Sequence, residues 1–136
     1  MHIVYDEKQV VGAWVCERTG GVWSPADSEA IGLVRDGLLV AGVLFDHFNG
    51  RSIAMHVAGH GMRWCTRAFL RACFGYAFVQ LGVHKVLGLV DEANVRAQRL
   101  DEHLGFHLEA RITDAAPGGD LLIYSMTAAT CRFLEN

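Results

Sequence analysis

The run Met55-His56-Val57-Ala58-Gly59-His60-Gly61-Met62-Arg63-Trp64 joins an imidazole, a glycine turn and a cation within ten residues. Histidine titrates near neutral pH, so His56 is a candidate general base or proton shuttle. Glycine lets backbone N–H groups approach a phosphate, and Gly59-His60-Gly61 is placed to do so if a strand precedes it and a helix follows. Charge points the same way. Between His47 and Val90 there is no Asp or Glu, while Arg51, Arg63, Arg67, Arg71 and Lys85 all fall there. That stretch carries +5 in a chain of net charge −3, which suits an anionic ligand; a solvated basic face is the plain alternative. On a helix, Arg63, Arg67 and Arg71 form one ridge, because residues four apart share a face. Asn94, ahead of Val95-Arg96-Ala97, reads as a helix cap.

Other chemistries find less support. Seven histidines raise the question of metal, but there is no His-Glu-x-x-His, and His103 and His107 straddle a helix stop, so no metal site is expected. Cys16, Cys65, Cys73 and Cys131 show no Cys-x-x-Cys spacing, and no apolar signal stretch precedes them. The expectation is a reducing, cytoplasmic setting. No apolar run long enough for a membrane span occurs, so no membrane is expected as partner. The arginine ridge lacks interleaved aromatics other than Trp64, which argues against nucleic acid.

These residues need elements to hold them. At 136 residues, 51% hydrophobic and 20% charged, the chain reads as a single domain over residues 1–136. Met1–Tyr5 reads as a short strand. Asp6 is the expected cap of a helix carrying Val10, Val11, Trp14 and Val15, which stops near Gly20-Gly21. Ile31–Arg35 and Leu38–Phe45 form a hairpin across Asp36-Gly37, and Asn49-Gly50 turns the chain into Ser52–Val57. The period then changes. Thr66, Phe69, Leu70, Cys73, Phe74, Ala77, Phe78 and Leu81 recur at helical spacing, and Gly82 stops them. Val83–Val90 reads as a strand, Asn94–Leu104 as a helix, and Phe106–Ile112 and Leu121–Thr127 as a final strand pair. The fold class is α/β, a mixed, mostly antiparallel sheet with helices on both faces.

The segment Asn94-x-x-Ala97, followed by Gly105-Phe106 at the end of the same helix, resembles the GNAT N-acetyltransferases, and the element order is similar across nearly the whole chain. Trp23, Met55-His56-Val57 and Arg63-Trp64 resemble, more narrowly, small acetyltransferase-like proteins of tailed-phage genomes. The resemblance implies acetyl-CoA as co-substrate and an amine acceptor on a small molecule, peptide or protein. It implies that the pantetheine arm enters where Ile53–Val57 and Val86–Val90 splay apart, with cofactor contacts at Met55, Val57, Gly59, His60, Gly61, Met62, Arg63, Trp64 and Asn94. Two registers fit its phosphate loop: Gly59-His60-Gly61, which glycine's close backbone approach favours, and one five residues later that puts Trp64 and Thr66 at the glycine positions. The alternative function is a GNAT-fold interaction or virion-associated module without turnover.

The catalytic candidates are His56 and Asp101. In such enzymes the central strands commonly supply a carboxylate base; the acid-free stretch has none, and His56 is the available substitute. The tyrosine often found as general acid in the last helix aligns with Asp101, which reads as a solvated helix position, because an aspartate cannot donate a proton at pH 7 without a strongly raised pKa. The Met55 or Val57 backbone is the expected oxyanion donor. Homodimers paired through the last strand are frequent in that superfamily, and Leu121-Leu122-Ile123 would suit one.

Overall fold

A computed structural model describes residues 1–61 and 63–134. In chain order the elements are β1 (His2–Val4), α1 (Lys8–Thr19), β2 (Glu29–Arg35), β3 (Leu38–Asp46), β4 (Ser52–Gly59), α2 (Arg67–Gly75), β5 (Lys85–Asp91), α3 (Val95–Leu104), β6 (His107–Ala116) and β7 (Gly119–Thr127). The strands form one seven-stranded sheet in the order β1-β2-β3-β4-β5-β7-β6. Every neighbouring pair is antiparallel except β4 with β5. The mixed sheet and its helices are those expected.

Side-chain alternation along the strands divides the core. Ile31, Val43, Phe45, Ile53 and Met55 pack with Phe69, Leu70, Cys73 and Phe74 of α2. On the other face Ala30, Leu44 and Ala58 pack with Val11, Val15 and Cys16 of α1. Each large apolar side chain so buried contributes roughly 1.5–3 kcal/mol, and the strand period of two dictates which helix receives it.

Several elements differ from the sequence expectation. The helix expected over 66–81 is α-helical only to Gly75 and continues as a π-helical turn over Tyr76–Gln80. Glu7, not Asp6, caps α1, without a side-chain bond. The last hairpin is longer than expected, because Asp120 accepts from the Asp114 N–H and pairs with Arg111, holding β6 against β7 across an irregular stretch as far as the Pro117 turn. β7 lies inside the sheet between β5 and β6, so pairing of two chains through the last strand is closed off. The edge strands are β1 and β6.

The phosphate-loop expectation also meets a geometric fact. Gly59 is the last residue of β4, and a Cβ there would sit 2.1 Å from the ring of Trp64. Trp64 is 3% exposed, and its Nε1 donates to the Gly61 carbonyl at 2.7 Å. α2 starts only at Arg67, capped by Thr66, whose hydroxyl accepts from the Phe69 N–H. The glycine turn therefore folds over an indole, and the helix N-terminus lies at the later of the two registers. Gly59→Ala should lower stability in urea denaturation by about 1–3 kcal/mol through overpacking. The same change in a Trp64→Leu background should cost less; equal costs would mean that the ring does not exclude the Cβ.

Candidate active site

Parallel pairing of β4 with β5 covers only Ser52↔Lys85, Ile53↔Val86 and Ala54↔Leu87. Beyond it both strands continue, β4 to Gly59 against β3 and β5 to Asp91 against β7, with a gap between them. Which backbone groups face that gap follows from the pleat. The His60 N–H donates to Val40 O toward β3, whereas Arg51 O accepts from His84 and Lys85 on the β5 side. Alternation then aims the C=O of Met55 and the N–H and C=O of Val57 and Gly59 into the gap, the Met55 N–H closing the last parallel rung at Ala54↔Leu87, and aims the groups of His56 and Ala58 toward β3. Unpaired N–H groups in a cleft are donors in search of an acceptor.

The gap opens into a cleft of about 1120 Å³. Of the residues singled out in the sequence, Met55, His56, Val57, Gly59, His60, Gly61, Trp64, Asn94 and Asp101 all line it. Arg63 is exposed and does not line it, and Met62 lies outside the described residues. The arginines at the cleft are instead Arg96 and Arg99 of α3, with Arg18 of α1, and His103 lines it beside them. Arg67 of the expected ridge donates to the Arg132 carbonyl. Asn94 caps α3, its Oδ1 accepting from the Ala97 N–H at 3.1 Å.

His56 is half-buried on the α1 face of β4, and its Nε2 donates to Asp46 Oδ1 at 2.8 Å. Nε2 carrying the proton leaves the lone pair on Nδ1. Burial raises the Asp46 pKa, but hydrogen bonds from His56 and His47, with their charges, outweigh it and hold the carboxyl below its ordinary value. A carboxylate on one nitrogen orients the ring and stabilises its cation. Asp46 is a residue of the candidate site that sequence reasoning missed. It lies one residue before the acid-free stretch, and hairpin register could have found it: Leu44 faces His56, so Asp46, two residues on, shares His56's face. His47 donates to the same oxygen at 2.8 Å. Asp46, His47 and His56 thus hold one ligand atom each within 4.8 Å of one another, a grouping hidden by their spacing in the chain.

Asp101 corrects the sequence reading most clearly. It is 8% exposed, not solvated, and its carboxyl lies against the backbone of Gly88, where a Cβ would come within 2.5 Å of Oδ2. Burial, then the charge of Glu102, push its pKa up to about 7, against an opposing pull from His56. Tyr124, 2% exposed, donates its hydroxyl to Glu102 Oε2 at 3.0 Å, and burial with that carboxylate pushes the phenol up to about 12. Asp101 is therefore a carboxyl beside the gap able to hold a proton near neutrality.

No protein-family model matches this chain, and no curated protein matches its sequence. Solved structures do. A variant of the spermidine N-acetyltransferase SpeG of Vibrio cholerae superposes with a TM-score of 0.76 at 15% identity, covering 98% of this chain and 96% of that one. A second variant of that enzyme gives 0.75 at 16% identity over 93% and 95%. This chain has the GNAT fold. A structure described as a probable acetyltransferase gives a TM-score of 0.64 at 19% identity over 90% of this chain and 71% of that one. The splayed β4–β5 pair of this GNAT-fold chain is the place where its side chains converge.

The Asp101 pKa carries a stability consequence of definite sign. Its folded value, about 7, lies above the ordinary 3.8 of an unfolded aspartate, so its contribution is full below about pH 4 and is lost as pH rises through 7. The loss is on the order of 4 kcal/mol by the linkage relation. Asp101→Asn should therefore be more stable than the parent at pH 8, with the difference shrinking toward pH 4.5. Parallel Tm profiles would reveal a normal Asp101.

Proposed function

We propose that this protein is an acetyl-CoA-dependent N-acetyltransferase that transfers the acetyl group directly to an acceptor amine. The observation that carries the reading is the gap between β4 and β5, with a His56–Asp46 pair on the β4 flank and a protonatable Asp101 on the β5 flank. The SpeG likeness supports an amine acceptor. Acetyl-CoA supplies an activated acyl carbon and a thiolate leaving group, and the flanks of the cleft suit its arm. The Gly59–Gly61 backbone on one lip, with Arg96, Arg99 and His103 on the other, would hold its anionic end, aided by the backbone at Asn94.

Each residue then has a defined task. As the amine lone pair forms its bond to the thioester carbon, His56 Nδ1 takes the amine proton, and Asp46 holds the resulting imidazolium. The Val57 N–H, aimed at the gap beyond the last β4–β5 pair, donates to the developing oxyanion; the Met55 N–H is taken up by the ladder at Ala54↔Leu87. When the carbon–sulfur bond breaks, Asp101 gives its proton to the departing thiolate. No covalent acyl-protein step is needed, and positioning supplies much of the rate. Cys65, near the start of α2, has its thiol pKa raised by burial, which disfavours it as a nucleophile.

The narrower likeness to phage-type proteins rests in part on Trp23 and Trp64. Packing accounts for both, since each ring occupies the space where Gly12 or Gly59 would carry a Cβ. A module without turnover would have no use for a buried carboxylic acid beside a gap between two strands.

Acetyl-CoA should raise Tm in a concentration-dependent way, by about 2.7 kcal/mol of stabilisation at one hundred times Kd. No shift at millimolar acetyl-CoA would sink the proposal. With polyamine or other amine acceptors, His56→Gln should lower kcat by roughly 10²–10⁴-fold with little change in acetyl-CoA affinity. Asp101→Asn should lower kcat and abolish the decline in rate on the alkaline side of about pH 7. A decline unchanged in that variant would assign the acid to another group.

A further inference from the structure

The geometry points to a divalent transition-metal site formed by Asp46, His47 and His56, whose occupation switches off the general base. Two histidines and one carboxylate are a ligand set for zinc-like ions, three protein ligands leaving one coordination position for water. Here His47 Nδ1 and His56 Nε2 both lie 2.8 Å from the same oxygen, Asp46 Oδ1. The three ligand atoms fall within 4.8 Å of one another. Zinc bonds to nitrogen or carboxylate oxygen are about 2.0–2.2 Å, so ligand atoms around one ion stand roughly 3–3.5 Å apart. The distances required are within reach of small side-chain rotations, most of all at His47, whose side chain is 70% exposed.

Two features show how the set is assembled and reached. The His47 backbone has φ 56°, a left-handed conformation unfavourable for a side-chain-bearing residue, immediately after β3 ends, and the ring lies on Asp46. His56 lines the β4–β5 cleft, while Asp46 and His47 line a separate cavity of about 810 Å³ with Glu29 and Tyr76. An ion can thus arrive from outside the cleft.

The consequence for His56 follows from its two nitrogens. Nε2 now carries the proton and Nδ1 the lone pair. A metal on Nε2 needs that nitrogen's lone pair, so the proton of the neutral ring passes through solvent to Nδ1. Nδ1–H is a donor and cannot accept the amine proton. His47 undergoes the converse shift, its proton moving from Nδ1 to Nε2. The Asp46 carboxylate, already ionised, exchanges two N–H donors for the ion. No bond to carbon and no electron transfer is involved. The inhibitory half rests on the acetyltransferase reading; the metal site does not.

The test uses the full chain freed of metal by chelation, titrated with Zn²⁺ by calorimetry and with Co²⁺ by visible absorption. One equivalent should bind with a Co²⁺ spectrum of nitrogen and oxygen ligation, and His47→Ala should bind at least tenfold more weakly. Absence of binding, or equal affinity in His47→Ala, would overturn the site. In acetyl transfer, Zn²⁺ should inhibit the parent at the concentration that fills the site. His47→Ala, scored against its own metal-free rate, should need at least tenfold more. A filled site with an unchanged rate would overturn the switch, and a protein without acetyl transfer would still be judged by the binding arm.

Discussion

Everything at the candidate site depends on an interruption in a hydrogen-bond ladder. Strand pairing normally satisfies backbone groups that are costly to bury unpaired. β4 and β5 pair over three positions and then separate, although each remains paired on its other side. β3 and β7 hold the separated strands, so the interruption is built into the sheet and is not frayed. The gap receives the N–H groups of Val57 and Gly59 and admits side chains from the two flanks that a continuous sheet would keep apart. Without it, His56 on the α1 face and Asp101 on α3 would not share a cleft.

Glycines set the dimensions of this arrangement by what they leave out. Gly88 has no Cβ where the Asp101 carboxyl lies, and Gly59 has none where the Trp64 indole lies. In the first case the missing methyl brings a carboxyl into dry surroundings and raises its pKa. In the second it lets an indole seal the end of β4, so that the chain reaches the α2 cap at Thr66 by way of a wrapped turn. The two positions do unlike work with the same residue. One makes an acid and the other a wall.

How much could be read from the chain divides along physical lines. Period and punctuation exposed the fold, because Asp36-Gly37, Asn49-Gly50, the Asn94 cap and the Gly105 stop act locally. The cleft-lining run from Met55 to Gly61 was legible for the same reason. The packing of that turn was less legible, since its sequence does not show that the glycines lining the cleft also cover an indole; Trp64 was the signal for the indole. Asp46 lay just outside a stretch defined by charge, and only strand parity could have tied it to His56. Asp101 was named, yet its burial was misjudged, because a helical aspartate looks solvated until the residue opposite is known to be a glycine. Arg96 and Arg99 were passed over for a ridge on α2, since charge density along a chain does not report which helix face meets the cleft.

The outer edge of the sheet has a bearing on the protein's behaviour at high concentration. β6 has exposed residues along nearly its whole length and only β7 as neighbour. Ten extended residues at an open edge would ordinarily template the addition of another strand. Here the ladder with β7 loses register between Leu108 and Ala110 and again between Ile112 and Ala116, and Asp114 adopts φ 54. Such irregularities twist the edge and break its row of donors and acceptors into short pieces. An incoming strand could zip over only a few residues before its spacing failed, so the same bends that shape the last hairpin also limit end-to-end polymerisation of the sheet.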